Sequence, residues 1–350
     1  MRIVLFLCSV IFCFRAAGDQ IQFSFGELSA NGSLTNFHAE VLGEGKPSAW
    51  KVLPGEAPSA FASLTDPAKN VAGGAALAQL SQDPTDEHFP MYVYDGDRFR
   101  NFKFSTQFKL VSGVMEQMAG VVFRFQNTSN FYVVRVSGLG RNIKFYKVVN
   151  GDRSNPIGVP CDITPGTWHQ LGVQCDGNQI TIYLDNKLVM PPLGDNTFSD
   201  GKIGFWTKSD AVTYFANASI DYVPIIPPVQ VLLDSVMHEE PRILGLQIYT
   251  LTTNNTTRVL ASKEPSEKGQ PGTDAELAAI RQGTVSFGRK HNADYVTMPL
   301  HDRNGDYIAA VRIQLKSFFG ETQDNAVNRA LLIIKMMQQF GLSAEDLAKE

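Results

Sequence analysis

Phe102-Lys103-Phe104-Ser105-Thr106-Gln107-Phe108-Lys109-Leu110 alternates apolar and polar side chains almost without a break. Successive side chains of a strand point to opposite faces, so this stretch reads as a strand with one buried face and one wet face. The same texture continues through residues 121–126, 131–136, 143–149, 168–175, 179–184 and 203–207, all short and rich in aromatic and β-branched residues. Turn chemistry separates them: Asn127-Thr128-Ser129-Asn130, Asn150-Gly151, Pro165-Gly166, Asp176-Gly177-Asn178 and Asp185-Asn186. Residues 19–223 are therefore expected to form a β-sandwich of the jelly-roll kind. Within them, residues 43–89 are rich in Pro, Gly and Ala and read as long loops with little regular structure.

Beyond the sandwich the texture changes. Val223-Pro224-Ile225-Ile226-Pro227-Pro228 reads as an extended linker over residues 224–228, because closely spaced prolines resist helix and sheet alike. Residues 229–239, 273–282 and 324–340 then show helical periodicity, and residues 242–251, 258–262, 285–290, 295–300 and 307–315 read as strands. The order helix, two strands, helix, three strands, helix predicts a smaller α+β domain with an antiparallel sheet over residues 229–350. A chain of 350 residues exceeds the usual single core, in keeping with two domains.

Residues 1–18 have the pattern of a signal peptide. Arg2 is the short basic region, residues 3–14 are apolar, and Ala16-Ala17-Gly18 offers small residues for cleavage before Asp19. The run is too short to span a bilayer, so a secreted or periplasmic protein is expected. Of the 4 cysteines, Cys8 and Cys13 leave with that segment. Cys161 and Cys175 remain in an oxidising compartment, where they either form a disulfide or stay as two thiols. Formal net charge is −4 with 19% charged residues, which argues against nucleic acid as a partner.

The first domain resembles the concanavalin A-like jelly rolls of the laminin-G and 3-keto-disaccharide hydrolase type found in exported bacterial proteins. The residues that carry the resemblance are Ala119-Gly120-Val121-Val122-Phe123-Arg124-Phe125, Asn130-Phe131-Tyr132-Val133-Val134-Arg135, residues 142–153, Gly166-Thr167-Trp168-His169 and Asp200-Gly201-Lys202-Ile203-Gly204-Phe205-Trp206-Thr207-Lys208. The resemblance implies the fold, and it leaves lectin, adhesion module and glycosidase all open. The second domain resembles PAS or Cache sensor folds, on the strand–turn–strand stretch Val296-Thr297-Met298-Pro299-Leu300-His301-Asp302-Arg303-Asn304-Gly305-Asp306-Tyr307-Ile308-Ala309-Ala310-Val311.

No recognisable catalytic motif accompanies the fold. Paired carboxylates at glycosidase spacing, zinc-type histidine spacing and nucleophile elbows are all missing from the sequence. Asp95-Gly96-Asp97 reads first as a turn and second as a weak calcium site, since Ca²⁺ takes carboxylate and carbonyl oxygens. Strand alternation places Val121, Phe123 and Phe125 on the core face and Arg124 on the other. It places Tyr132, Val134 and Val136 inward and Arg135 outward. If Lys147 joins them, Arg124, Arg135 and Lys147 line one cationic surface, with Asn130, Tyr146, Trp206 and Lys208 as additions. Guanidinium forks hydrogen-bond hydroxyls and carboxylates, and aromatics stack on sugar rings. The expected function is binding of a carbohydrate or other small extracellular ligand, with a 3-keto-disaccharide hydrolase-type enzyme or an adhesion module as alternatives. The plainer alternative for the cationic set is a solvated sheet face. An exposed side of the last helix would suit a homodimer.

Overall fold

The computed structural model describes residues 18–26, 34–58 and 74–347; the expected signal segment lies outside the described residues except for Gly18. The chain divides between Ile225 and Ile226 into two units. The first contains β1 (Asp19–Phe23), β2 (Phe37–Gly43), β3 (Trp50–Leu53), β4 (Ala76–Gln79), β5 (His88–Tyr94), β6 (Phe102–Ser112), β7 (Met118–Asn127), β8 (Asn130–Ser137) and β9 (Asn142–Val149). After these come β10 (Asp152–Arg153), β11 (Ile157–Pro160), β12 (Trp168–Asp176), β13 (Gln179–Leu184), β14 (Lys187–Leu188), β15 (Leu193–Gly194), β16 (Lys202–Trp206) and β17 (Val212–Tyr222).

These strands build two antiparallel sheets. One runs β14-β13-β12-β6-β17-β4-β3, with β1 on β17 and β15 on β13; the other runs β10-β9-β8-β7-β16-β5-β2, with β11 on β9. Between them lies an aromatic core that includes Phe104, Phe108, Phe123, Tyr132, Phe145, Phe205 and Phe215. Each such ring fully buried stabilises the fold by about 1.5–3 kcal/mol. The inward set of β6 is Phe102, Phe104, Phe108 and Leu110, the apolar positions of the alternating stretch. A jelly-roll sandwich with a smaller sheet-containing domain is what the chain forms.

Two expectations need correction, and one open alternative is decided. Residues 43–89 hold β3, β4 and the start of β5, strands too short for alternation to show in a Pro- and Ala-rich context. Pro228, expected in the linker, opens the first helix, where a missing N–H costs nothing. Cys161 and Cys175 are both free thiols. The segment 157–160 pairs with β9 in one sheet, whereas Cys175 sits on β12 in the other, opposite Phe102 and Ile180.

The second unit is a five-stranded antiparallel sheet of β18 (Ile243–Leu251), β19 (Thr257–Ser262), β20 (Ser286–Lys290), β21 (Ala293–His301) and β22 (Tyr307–Lys316), in the order β19-β18-β22-β21-β20. Helices α1 (Pro228–Glu239), α3 (Gln323–Gln339) and α4 (Ala344–Leu347) bury one face through Leu233, Val236, Ile248, Val311, Ile333 and Ile334. Helix α2 (Asp274–Gln282) covers part of the other face, over Tyr249, Val259 and Ala310. It begins with a capping box between Thr273 and Glu276 and ends at Gly283 in the left-handed region. Among the described residues no helix is long and apolar enough to cross a membrane.

Candidate functional site

The outer face of the β10–β2 sheet is apolar. Phe89, Met91 and Val93 of β5, Val122 of β7, Phe131 and Val133 of β8, Tyr146 and Val148 of β9, and Trp206 of β16 form a second buried cluster there. An outward sheet face of this composition must be covered. The sheet covers it by curling. Arg153, on edge strand β10, lies five strands from β5 in the sheet order. At about 4.8 Å per strand, a flat sheet would separate them by ~24 Å. Instead the Arg153 guanidinium sits 6.0 Å from the centre of the Phe89 ring and 5.6 Å from that of Tyr146, and 3.9 Å from the Glu87 carboxylate.

Under this bridge lies a cavity of about 150 Å³, lined by Leu42, Glu87, Phe89, Phe131, Tyr146, Val148, Arg153 and Trp206 among others. Phe89 stacks on Trp206 at 5.8 Å, and Tyr146 meets Trp206 edge-on at 6.4 Å. Burial drives the Tyr146 phenol well above its ordinary pKa, with Arg135 and Arg153 pulling the other way. It therefore keeps its proton and can donate. The cavity thus offers an aromatic floor, a guanidinium, a carboxylate and a phenol.

A charged group stands along the same outer face. Lys208, two residues beyond Trp206, bonds Asp86 at 2.6 Å and Glu116 at 3.0 Å. Burial lowers the Lys208 pKa, but the two carboxylates outweigh it and the net shift is upward. Arg135 is 8% exposed and donates to the Asn142 side chain. Its burial pulls the guanidinium down, opposed by Tyr146 and Glu116.

The structure separates the residues that alternation grouped. Arg135, Tyr146, Trp206 and Lys208 share the outer face. Arg124 does not. It has φ of +46° at a bulge where the β7–β8 pairing breaks after Phe123, and the extra residue turns Phe125 outward and Arg124 inward. Arg124 is fully buried and donates to the carbonyl oxygens of Phe198 (2.7 Å), Arg100 (3.2 Å) and Gly177. Lys147 lies opposite Tyr132, on the inward parity of Phe145, and its Nζ bonds Asp195 at 2.6 Å and Thr197 at 2.7 Å. Both cations fasten the 195–198 loop rather than face the cleft. Asn130 joins a turn, bonding Asn127 and the Asn150 N–H. Asp95 pairs with Lys202 and His38, whereas Asp97 accepts from Tyr222, so the two carboxylates serve different partners. Among the described residues no group of three or more His, Cys, Asp or Glu stands ready for a metal.

Glu87, Phe89, Phe131, Asp86 and Glu116 were not anticipated. Phe89, Met91 and Val93 do alternate, and that signal lay inside and just beyond a stretch read as loop. Glu116 and Asp86 carry no local signal, since they meet Lys208 only through the fold.

Over residues 30–221 the sequence matches the 3-keto-alpha-glucoside-1,2-lyase-like domain. The chain belongs to that family. No curated protein matches it. Solved structures similar to it include a carbohydrate-binding module, CBM66, from Bacillus subtilis (20% identity, 49% of this chain and 94% of that one, TM-score 0.37). Others are a native glycosidic hydrolase (11% identity, 61% and 99%, TM-score 0.36) and the Caenorhabditis elegans galectin LEC-6 (7% identity, 35% and 80%, TM-score 0.26). Within this 3-keto-glucoside lyase-like unit, the matched span contains the curled sheet and every residue named in its cleft.

Proposed function

We propose that the lyase-like unit holds a single sugar ring in the curled cleft, under Arg153. The observation that carries this is the cavity itself. Its volume of about 150 Å³ is that of a site that takes one six-membered ring, and its walls pair aromatic faces with fork-shaped donors and acceptors. Phe89, Tyr146 and Trp206 suit the C–H face of a sugar, while Arg153, Glu87 and the Tyr146 hydroxyl suit its hydroxyls. The family name supports the same ligand class.

The test is calorimetric titration of the full chain with monosaccharides and their 3-keto glucosides. Arg153 is exposed, so Arg153→Ala leaves the fold intact; it is expected to weaken binding at least tenfold. Equal affinity in parent and variant would overturn the assignment.

A second reading, processing of the sugar, is favoured by Arg135 and the Glu116–Lys208 pair on the same outer face as the cleft. A keto group at C3 acidifies the C2–H bond. In a 1,2-elimination a base takes that proton, C1=C2 forms as the bond from C1 to its substituent breaks, and the protonated base passes the same proton to the leaving oxygen and so recovers its charge. We assign Glu116 as the base and the Lys208 ammonium and Arg135 guanidinium as the charges that stabilise the enolate. Glu116→Gln should then abolish release of the C1 substituent while ligand still binds; retained turnover would leave binding alone.

The N-terminal sequence supports export of the protein. For the second unit, the sensor-like reading is supported by the antiparallel hairpin of β21 and β22 around the Asp302–Gly305 turn.

A further inference from the structure

The second unit has an open polar platform that its helices do not cover. Helix α2 lies over Tyr249, Val259 and Ala310. On the uncovered part of the same sheet face are Gln247, Tyr295, Arg312 and Gln314, which border a cavity of about 330 Å³ with Lys263, Glu264 and Glu267. A volume of that size falls within the range of ligand sites. Gly245, paired with Gln314 across β18 and β22, keeps the floor open; a side chain there would stand 3.0 Å from the Gln314 amide oxygen.

Some of the groups around the cavity are held by other side chains and some are not. Gln247 donates to Glu267 at 2.8 Å and accepts from Tyr249 at 2.7 Å. Arg312 is fixed against Glu276 at 2.6 and 2.9 Å and over the Tyr249 ring at 5.1 Å. Among the described residues the side chains of Tyr295 and Gln314 have no partner, and the second terminal nitrogen of Arg312 has none. A planar amide, a phenol and a guanidinium edge therefore border one half-buried space with donors and acceptors that no other side chain engages, and they are free to bond a polar occupant.

We propose that this platform is a second binding site, for a neutral polyhydroxylated ligand such as a sugar or cyclic polyol. An uncharged ligand is chosen because the lining has no positive excess to hold an anion: Arg312 is already paired with Glu276, and Lys263 alone stands against Glu264 and Glu267. Hydroxyls both donate and accept, and so match a wall where the Gln314 amide, the Tyr295 hydroxyl and the carboxylates alternate donors with acceptors. The site shares no residue with the cleft of the first unit and does not depend on it.

The test is hydrogen exchange on the full chain with glucose, galactose and myo-inositol, read strand by strand. Protection of β18 and β22 by at least one of the three is expected, at least tenfold weaker in Gln314→Leu and reduced in Tyr295→Phe. It should be unchanged in Arg153→Ala. Tyr295→Phe removes only a hydroxyl, so it keeps the test open if Gln314→Leu fails to fold. Protection of these strands by acetate or glycine and not by the three polyols would overturn the ligand class. No protection by any probe, or equal protection in both unit-two variants, would overturn the site.

Discussion

Replacing Arg124 with Met separates a structural cation from a ligand-binding one. The substitution keeps most of the side-chain volume and removes every donor. Three backbone acceptors, the carbonyls of Phe198, Arg100 and Gly177, then lose their partner at a side chain with no exposure to solvent. Each orphaned buried acceptor costs about 1–3 kcal/mol. Three such acceptors sum to about 3–9 kcal/mol, and relief from burying the charge and some rehydration of the carbonyls bring the net cost to about 3–5 kcal/mol. With a urea slope of about 2–3 kcal/mol per molar, the unfolding midpoint should fall by roughly 1.5 M. Tryptophan fluorescence is the assay, because the 3 tryptophans, Trp50, Trp168 and Trp206, all lie in the first unit. Arg153→Ala is the counterpart, expected to stay within about 0.5 kcal/mol of the parent as an exposed substitution. An Arg124→Met protein with the parent's midpoint and lost sugar binding would refute the inward placement of this side chain and the bulge behind it.

Other expectations follow from the same geometry. Gly201 has φ of +157°, and a Cβ there would come within 2.8 Å of the Arg124 Cα and carbonyl oxygen; Gly201→Ala should destabilise the first unit by about 1–3 kcal/mol in the same urea assay. Burial, with Asp195 adjacent, pushes the Tyr132 phenol up to about 12, above its unfolded value near 10. Its contribution is therefore whole below pH 10 and lost as pH rises toward 12, and Tyr132→Phe should flatten the fall of stability with pH across that window. Burial also raises the Cys175 thiol to about 12; alkylation of the unfolded, unreduced chain followed by peptide mapping should modify both Cys161 and Cys175, and an unmodified pair would mean a disulfide. Glu276 is buried beneath Arg312. Burial raises its pKa, yet hydrogen bonds from Thr273 and the Arg312 charge outweigh that and hold the carboxyl below its ordinary value. Stability from it is present above the ordinary carboxylate range and lost in acid, and Glu276→Gln should cost about 3 kcal/mol at neutral pH.

Alternation is a local rule, and it read the strands wherever pairing stays in register. β8 pairs β9 without a break from Phe131 to Ser137, so the outward placement of Arg135 could be read from Tyr132, Val134 and Val136 alone. β7 is different, because its register against β8 shifts between Phe123 and Asn127 and against β16 between Lys202 and Gly204. One residue at positive φ reverses every face after it, and Arg124 is not a residue type that announces such a conformation. The only local hint was distant in sequence. Gly201, which must lack a side chain to pass Arg124, sits at the start of the neighbouring strand.

The cleft was less legible for a reason of a different order. Its floor came from residues the sequence marks, Tyr146 and Trp206, but its roof depends on curvature accumulated over six strands. Curvature sums the small twists of each strand pair, and no window of sequence contains that sum. Arg153 therefore stood only among the residues of the family resemblance, and Glu87 and Phe89 looked like loop, although together they convert an apolar sheet face into an enclosed site. Two arginines make the distinction concrete. Arg124, in the middle of an aromatic strand, has the setting expected of a ligand contact and is occupied by three carbonyls of its own fold. Arg153, on a two-residue strand at a sheet edge, is exposed, has a carboxylate as its neighbour and lies across a ring-sized space on that face. Affinity for a sugar should follow the second and stability the first, which is why paired measurements on these two positions test the fold and the site at once.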